Sequence, residues 1–313
     1  MLIEDLSRSI KIRRIVVWGL RTVFNHSHHF IHGGFYLTLK KLGAPVIWLD
    51  DDPKNANVIL PGDFVIAVNV FMKYLPVVKG AKYCLHNAND EFVGLLGPDC
   101  VRLQVFNKGS IPSEEQKRQG VNPLLSGVAY YDSRINTLYQ SWGAPLLARE
   151  FCKPMRLEYK KSEYFVGTIW DNELGQGNSQ VIPIYKSALH NVGIRFMHVQ
   201  GAPELINPLY VRHAAVGASI VGNWQREIGY APCRLFKAVS FGRPGLINAD
   251  AISLAYPWAI CNENIPELID YSLGLSINQT EELVHYQQSF VAQETYEQKI
   301  GNMLQVLLFY QAK

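Results

Sequence analysis

The chain has 313 residues, 48% of them hydrophobic and 18% charged, with a formal net charge of +3. That composition excludes a disordered chain and provides for two domains of roughly 150 residues each. The mild excess of Lys and Arg suits a small anionic ligand and does not call for nucleic acid, since "KIRR" (11–14) and "KKSE" (160–163) are short and separate.

The N-terminus, "MLIEDLSRSIKIRR", carries acids and no apolar signal region. "RIVVWGL" (14–20) then predicts a buried strand. A helix follows, with Ile31, Phe35, Leu39 and Leu42 at three- or four-residue spacing, Ser27 as the expected cap and Gly43 as the stop. Between them lies "FNHSHHFIHGGF" (24–35), which holds four of the nine histidines: His26, His28, His29 and His32. "PVIWLDDD" (45–52), "FVIAVNV" (64–70), "KYCLHN" (82–87), "VRLQVF" (101–106) and "GVAYY" (127–131) predict five further strands. Alternation of strands with helical patterns argues for an α/β fold with parallel strands.

The charged stretch 149–163 reads as a linker. The pattern restarts with strands at 164–170, 194–199, 218–222 and 243–248. Helices are expected over 177–193, where Pro183 imposes a late start or a kink, and over 231–242. From Thr280 to the end the sequence reads as one long polar-faced helix. The layout is two Rossmann-like doubly wound domains, 1–155 and 156–279, facing a cleft, with 280–313 returning to the first domain. Ligands of such sheets bind at the carboxyl ends of the strands.

Several motifs sit at strand ends. Arg234 and Lys237, three apart near the start of a helix, offer two cations and free N–H groups to a phosphate; a solvated basic face is the plainer alternative. His28 and His32 are spaced to chelate from one helix turn, but no third ligand is nearby, so no metal is expected there. The acids of "WLDDDP" (48–53) read as a solvated turn, with a divalent-cation site as the alternative. "CLHNANDE" (84–91) places Asn87 and Asp90 where they would grip hydroxyls or simply build a turn. Five widely spaced cysteines point to free thiols and a cytoplasmic protein. No apolar run is long enough to span a membrane, which leaves a peripheral membrane contact open.

"CRLFKAVSFGRPGLIN" (233–248) resembles the donor-site segment of GT-B-fold glycosyltransferases, in which R-x-x-E-A-x-x-x-G-x-P precedes an apolar strand. The match covers Arg234, Ala238, Gly242 and Pro244; Lys237 stands where many retaining members carry an acid. "KKLGAPVIWLDD" (40–51) is similar to the opening unit of that family, and "FVGTIWDNELGQGNSQVIPIYKSAL" (165–189) to the opening of its second domain, where Thr168 occupies the turn near the donor phosphates. The resemblance implies sugar transfer from a nucleotide diphosphate sugar to a hydroxyl acceptor, for example on a glycan. It implies no metal or further cofactor, and a base drawn from His29, His28 or His32. The donor would be held by Thr168, Arg234 and Lys237, the acceptor by Asn87 and Asp90. The same layout fits a sugar-nucleotide epimerase or a non-catalytic nucleotide- or glycan-binding protein. No G-x-G-x-x-G follows the first strand, which speaks against an oxidoreductase.

Overall fold

The computed structural model describes residues 2–24, 26–88, 93–94, 97–110, 113, 125–155, 161–202 and 206–311. Two compact units emerge. The first comprises Met1–Phe106, Ser110–Gln140 and Tyr296–Lys313, the second Asn107–Gly109 and Ser141–Thr295. Apart from the short excursion at Asn107–Gly109, the chain changes unit at 140/141 and at 295/296. The charged stretch at 149–155 is tied into the second unit by Cys152 N–H donating to Ser240 O (2.9 Å) and Met155 N–H to Gly242 O (3.0 Å).

The first unit is built on a seven-stranded sheet, in which β1 (Arg14–Trp18), β2 (Val46–Leu49), β3 (Asp63–Val68), β4 (Lys82–His86), β5 (Cys100–Val105), β6 (Ala129–Asp132) and β7 (Thr137–Gln140) lie in the order β2-β1-β3-β4-β5-β7-β6. Every pairing is parallel except β6 with β7. Parallel strands need cover on both faces, and the sequence supplies it. Val16, Trp18, Val65, Ala67, Tyr83 and Leu85 join one apolar cluster with Ile59, Leu75 and Ala81, contributed by the irregular connections. Ile15, Val17, Phe64 and Ile66, which alternate with them, are equally buried.

Helix α1 (Leu2–Ser9) opens the unit, and α2 (Ser27–Lys41) follows β1. The cap of α2 is His26 rather than the expected Ser27: His28 N–H donates to His26 Nδ1 at 3.2 Å. Gly43, with φ +72, ends it in the left-handed conformation. At the amino end of the sheet, Arg13 and Arg14 enclose the fully buried Asp63 at 2.7 and 3.1 Å. The two arginines of the "KIRR" run are thus committed to an internal ion pair.

In the second unit β8 (Ser162–Val166) pairs in parallel with β9 (Arg195–Val199), and β10 (Leu246–Ile247) with β11 (Ile260–Cys261). The expected strand at 218–222 is only a bridge, Ser219 to Ile247. Side chains complete the pairing there: buried Glu163 accepts from Val216 N–H (2.7 Å) and Gly217 N–H (3.1 Å), while Asn248 spans to Val221 from both ends of its amide. The helices are α3 (Ile182–Asn191), α4 (Asn207–His213), α5 (Asn223–Glu227), α6 (Cys233–Ser240), α7 (Ile265–Gly274) and α8 (Ile277–Val291). Pro183 lies in the first turn of α3, so that helix starts late instead of kinking.

The final helical stretch is two helices, not one. Between α8 and α9 (Tyr296–Gln311) the chain turns, because Glu294 is buried and accepts from Ser141 Oγ (2.9 Å) while Thr295 bridges to Ala144. Helix α9 belongs to the first unit and packs against α1 and α2. Among the described residues no helix is long and apolar enough to cross a membrane.

Candidate functional site

Residues of interest gather at the carboxyl ends of strands in each unit. In the first unit β1 ends in two successive left-handed residues, Gly19 (φ +84) and Leu20 (φ +67). Their carbonyls face the side chains of neighbouring elements. Trp48 Nε1–H donates to Gly19 O at 2.8 Å, and His29 Nδ1 lies 2.7 Å from Leu20 O. A carbonyl only accepts, so His29 Nδ1 carries the proton. The His29 ring is flanked by Phe24, Trp48 and Phe30, with ring centres 4.9, 5.2 and 5.4 Å away. No bond from a described residue reaches His29 Nε2.

His28 and His32 turn the other way, into the fold. His28 Nε2 lies 3.1 Å from Nδ1 of His86, the last residue of β4. His86 and His32 are 4% and 2% exposed, and the His28 and His32 rings are 6.5 Å apart. Burial disfavours the charged imidazole. It lowers the pKa of His28 to about 4, with His26 adding repulsion. His32 is lowered to about 3, by burial first and the neighbouring His28 second. His86 lies well below the usual range for the same reason. These three rings are neutral at pH 7; the family resemblance puts His29 first as the base, with His28 and His32 close behind.

The acids after β2 each hold main-chain or indole N–H groups. Asp50 accepts from Thr22 N–H (2.9 Å), and Asp52 from Lys54 N–H (2.9 Å). Asp51 accepts from Trp18 Nε1–H (3.0 Å), Lys73 N–H (2.9 Å) and Tyr74 N–H (2.9 Å). They build the turn, and only half of that was expected: they are bonded inward, not simply solvated. Among the described residues no three His, Cys, Asp or Glu side chains are grouped so as to hold a metal ion. Asn87 follows β4 as an exposed left-handed residue, φ +55. Asp90 lies outside the described residues.

In the second unit β8 runs into Gly167 and Thr168. A side chain at Gly167 would meet Arg234 Nη1 at 2.8 Å, so the turn passes directly against the guanidinium. Arg234 projects from the first turn of α6. Its guanidinium stacks over Phe165 at 4.6 Å and donates from Nη2 to Ile220 O at 2.8 Å. Its Nε is buried with no partner, and no carboxylate pairs with it among the described residues. Burial lowers its pKa from the usual arginine range. Lys237, one turn on, donates to Asn207 Oδ1 at 3.3 Å. Arg234 and Lys237 line one recess with Glu163, Phe165 and Ser219. The Glu163 carboxyl there is taken up by Tyr185 Oη–H (2.8 Å) and the two main-chain N–H groups, and burial raises its pKa. Thr168 contributes its carbonyl to Asn178 Nδ2–H (3.4 Å).

Two contributions escaped the sequence reading. The pairing of His28 with His86 joins residues 58 apart, which no local spacing signals. The left-handed Leu20 carries no sequence mark at all, because leucine is not a turn former.

The sequence matches no protein-family model and no curated protein. Among solved structures, the crystal structure of TarM aligns with a TM-score of 0.44 at 9% identity, over 88% of this chain and 58% of that one, so this chain spans less than two thirds of its length. The N-terminal domain of Candida albicans trehalose-6-phosphate phosphatase aligns with a TM-score of 0.45 at 10% identity, over 98% of this chain and 93% of that one. Both scores are below 0.5, and neither likeness decides fold or function. The fold stands on the chain's own sheet, a mixed α/β arrangement with a mostly parallel seven-stranded core.

Proposed function

We propose that this protein is a GT-B-like glycosyltransferase, in which the two units serve as acceptor and donor domains. It transfers a sugar from a nucleotide diphosphate donor to a hydroxyl acceptor, such as a glycan, and needs no metal. The observation that carries this reading is Arg234: a guanidinium at a strand end and helix start whose Nε is buried and unpartnered, with no acid paired to it among the described residues. A buried cation in that state is costly unless an anion completes it. A donor pyrophosphate would do so, assisted by Lys237 and the free N–H groups of α6, with Thr168 at the adjoining turn.

In the transfer, His29 Nε2 takes the proton of the acceptor hydroxyl. The oxygen keeps the electron pair and attacks the anomeric carbon. The bond from that carbon to the donor phosphate oxygen breaks, and the nucleoside diphosphate leaves with the pair. Negative charge growing on the leaving phosphate is met by Arg234 and Lys237, the task a divalent ion performs elsewhere. Asn87 would hold the acceptor. The free thiols of Cys84, Cys100, Cys152, Cys233 and Cys261 support a reducing, cytoplasmic setting.

The test is a thermal-shift series of nucleoside diphosphates and nucleotide sugars on the full chain. At least one is expected to raise Tm, since a ligand bound only by the folded state stabilises it by mass action. Absence of any shift across the series would overturn the reading.

A further inference from the structure

We infer that the main-chain carbonyl of Leu20 is the positioning group that fixes His29 with its proton on Nδ1 and leaves Nε2 as the proton acceptor. The inference rests on the reading of His29 as general base. It separates His29 from His28 and His32 and says what makes the difference.

Leu20 has φ +67 and follows Gly19 at φ +84. A leucine seldom adopts a left-handed conformation, because its Cβ crowds the following carbonyl. Such residues persist where the surroundings hold them, and they cluster at functional sites. Here the surroundings are visible. The Leu20 side chain is 1% exposed, and a side chain at Gly19 would meet Phe71 Cβ at 2.8 Å, so the turn is pinned from both sides.

The consequence is that two successive carbonyls address two rings. Gly19 O takes the indole N–H of Trp48 at 2.8 Å, and Leu20 O takes the Nδ1–H of His29 at 2.7 Å. The two rings lie against each other, centres 5.2 Å apart at 34°. The imidazole is thereby fixed in tautomer and in orientation. In water a neutral histidine prefers its proton on Nε2; the bond made by one ring nitrogen decides the state of the other. With Nδ1 committed to Leu20, the lone pair sits on Nε2, where no described residue engages it.

His28 and His32 are engaged differently, the His32 ring by the main chain of Gly19 and Trp18. His28 Nε2 is engaged with His86 Nδ1, and His32 is 2% exposed with Nδ1 buried and unpartnered. During transfer the acceptor O–H bond would break and its proton would bond to Nε2. The resulting imidazolium keeps its Nδ1–H on the Leu20 carbonyl throughout, so no proton needs to leave the ring on the far side.

The experiment is a two-bond proton–nitrogen correlation spectrum of the full chain labelled with nitrogen-15 histidine at pH 7.5, with the His29 signals assigned from the spectrum of His29→Gln. The expected result is a protonated Nδ1 and an unprotonated Nε2 for His29. A protonated Nε2 would overturn the inference. Leu20→Gly, which tolerates positive φ, should keep the Nδ1–H pattern. Leu20→Ile preserves volume but is branched at Cβ and should move the population toward Nε2–H; retention of the Nδ1–H form in folded Leu20→Ile would show that this turn does not set the tautomer. If Leu20→Ile fails to fold, the wild-type and Leu20→Gly spectra decide. None of these readouts requires donor or acceptor, so this inference and the transferase reading fail separately.

Discussion

Under the proposed function, donor binding turns on Arg234 and Lys237. A charge-assisted bond contributes about 1.5–3 kcal/mol, so Arg234→Ala or Lys237→Ala is expected to weaken nucleoside diphosphate affinity about tenfold or more by calorimetry. Unchanged affinity in both variants would remove the phosphate assignment. His29→Ala should lower the transfer rate about a hundredfold while nucleotide affinity is retained; a similar loss in His28→Ala with a normal His29→Ala would move the role by one residue. The buried histidines also set a pH dependence. Folded His28 and His32 have pKa values of about 4 and about 3, below the usual 6.5. Above 6.5 both states are neutral and nothing changes. As pH falls below 6.5 the unfolded chain takes up protons first, so stability declines down to the folded values, by roughly 2 kcal/mol for each ring at pH 5. Urea midpoints at pH 7.5 and pH 5 check this, and His32→Asn should flatten the decline. An equal decline in that variant would exclude His32 as its source. At this scale the sequence showed that histidines crowd the end of β1 and that two cations share a helix turn. It did not show which ring points inward, because that depends on His86 and on the Leu20 backbone.

At the level of elements, two close approaches define what the packing tolerates. Gly34 on α2 lies under Tyr296 of α9, where an added Cβ would fall 2.2 Å from the ring. Gly34→Ala is expected to destabilise the protein by about 1–3 kcal/mol, the range for overpacking a filled site, read from denaturant midpoints. Gly222 crosses the backbone of Gly177 so closely that a Cβ would fall 1.7 Å from its carbonyl oxygen. Main chain yields less than a ring, so Gly222→Ala should cost more than Gly34→Ala. The reverse order would mean that the 170–178 loop adjusts freely. Strands β1 to β5 were legible as apolar runs, and α2, α3 and α6 as periodic or capped segments. The short helices α4 and α5 were missed, having too few turns to show a period. The break before α9 was also missed, since it comes from burial of Glu294 against Ser141 and not from any Gly or Pro.

Over the whole molecule, strand type and parallel arrangement followed from alternating apolar runs and helical spacing, whereas the sheet order did not. The second unit was harder to read because Glu163 and Asn248 replace backbone pairing with side-chain bonds. A polar residue standing in for a strand edge looks like a loop in sequence. Under the proposed function, the carboxyl end of β8 and the start of α6 form an anion site that holds a nucleotide diphosphate without a metal. The most direct measurement is calorimetric titration of the full chain with the nucleoside diphosphate that gives the largest thermal shift, in excess EDTA, beside Arg234→Ala. The account predicts saturable one-to-one binding that EDTA leaves intact and that the substitution weakens about tenfold or more. Binding that vanishes in EDTA and returns with magnesium or manganese, or that Arg234→Ala leaves unchanged, would contradict it.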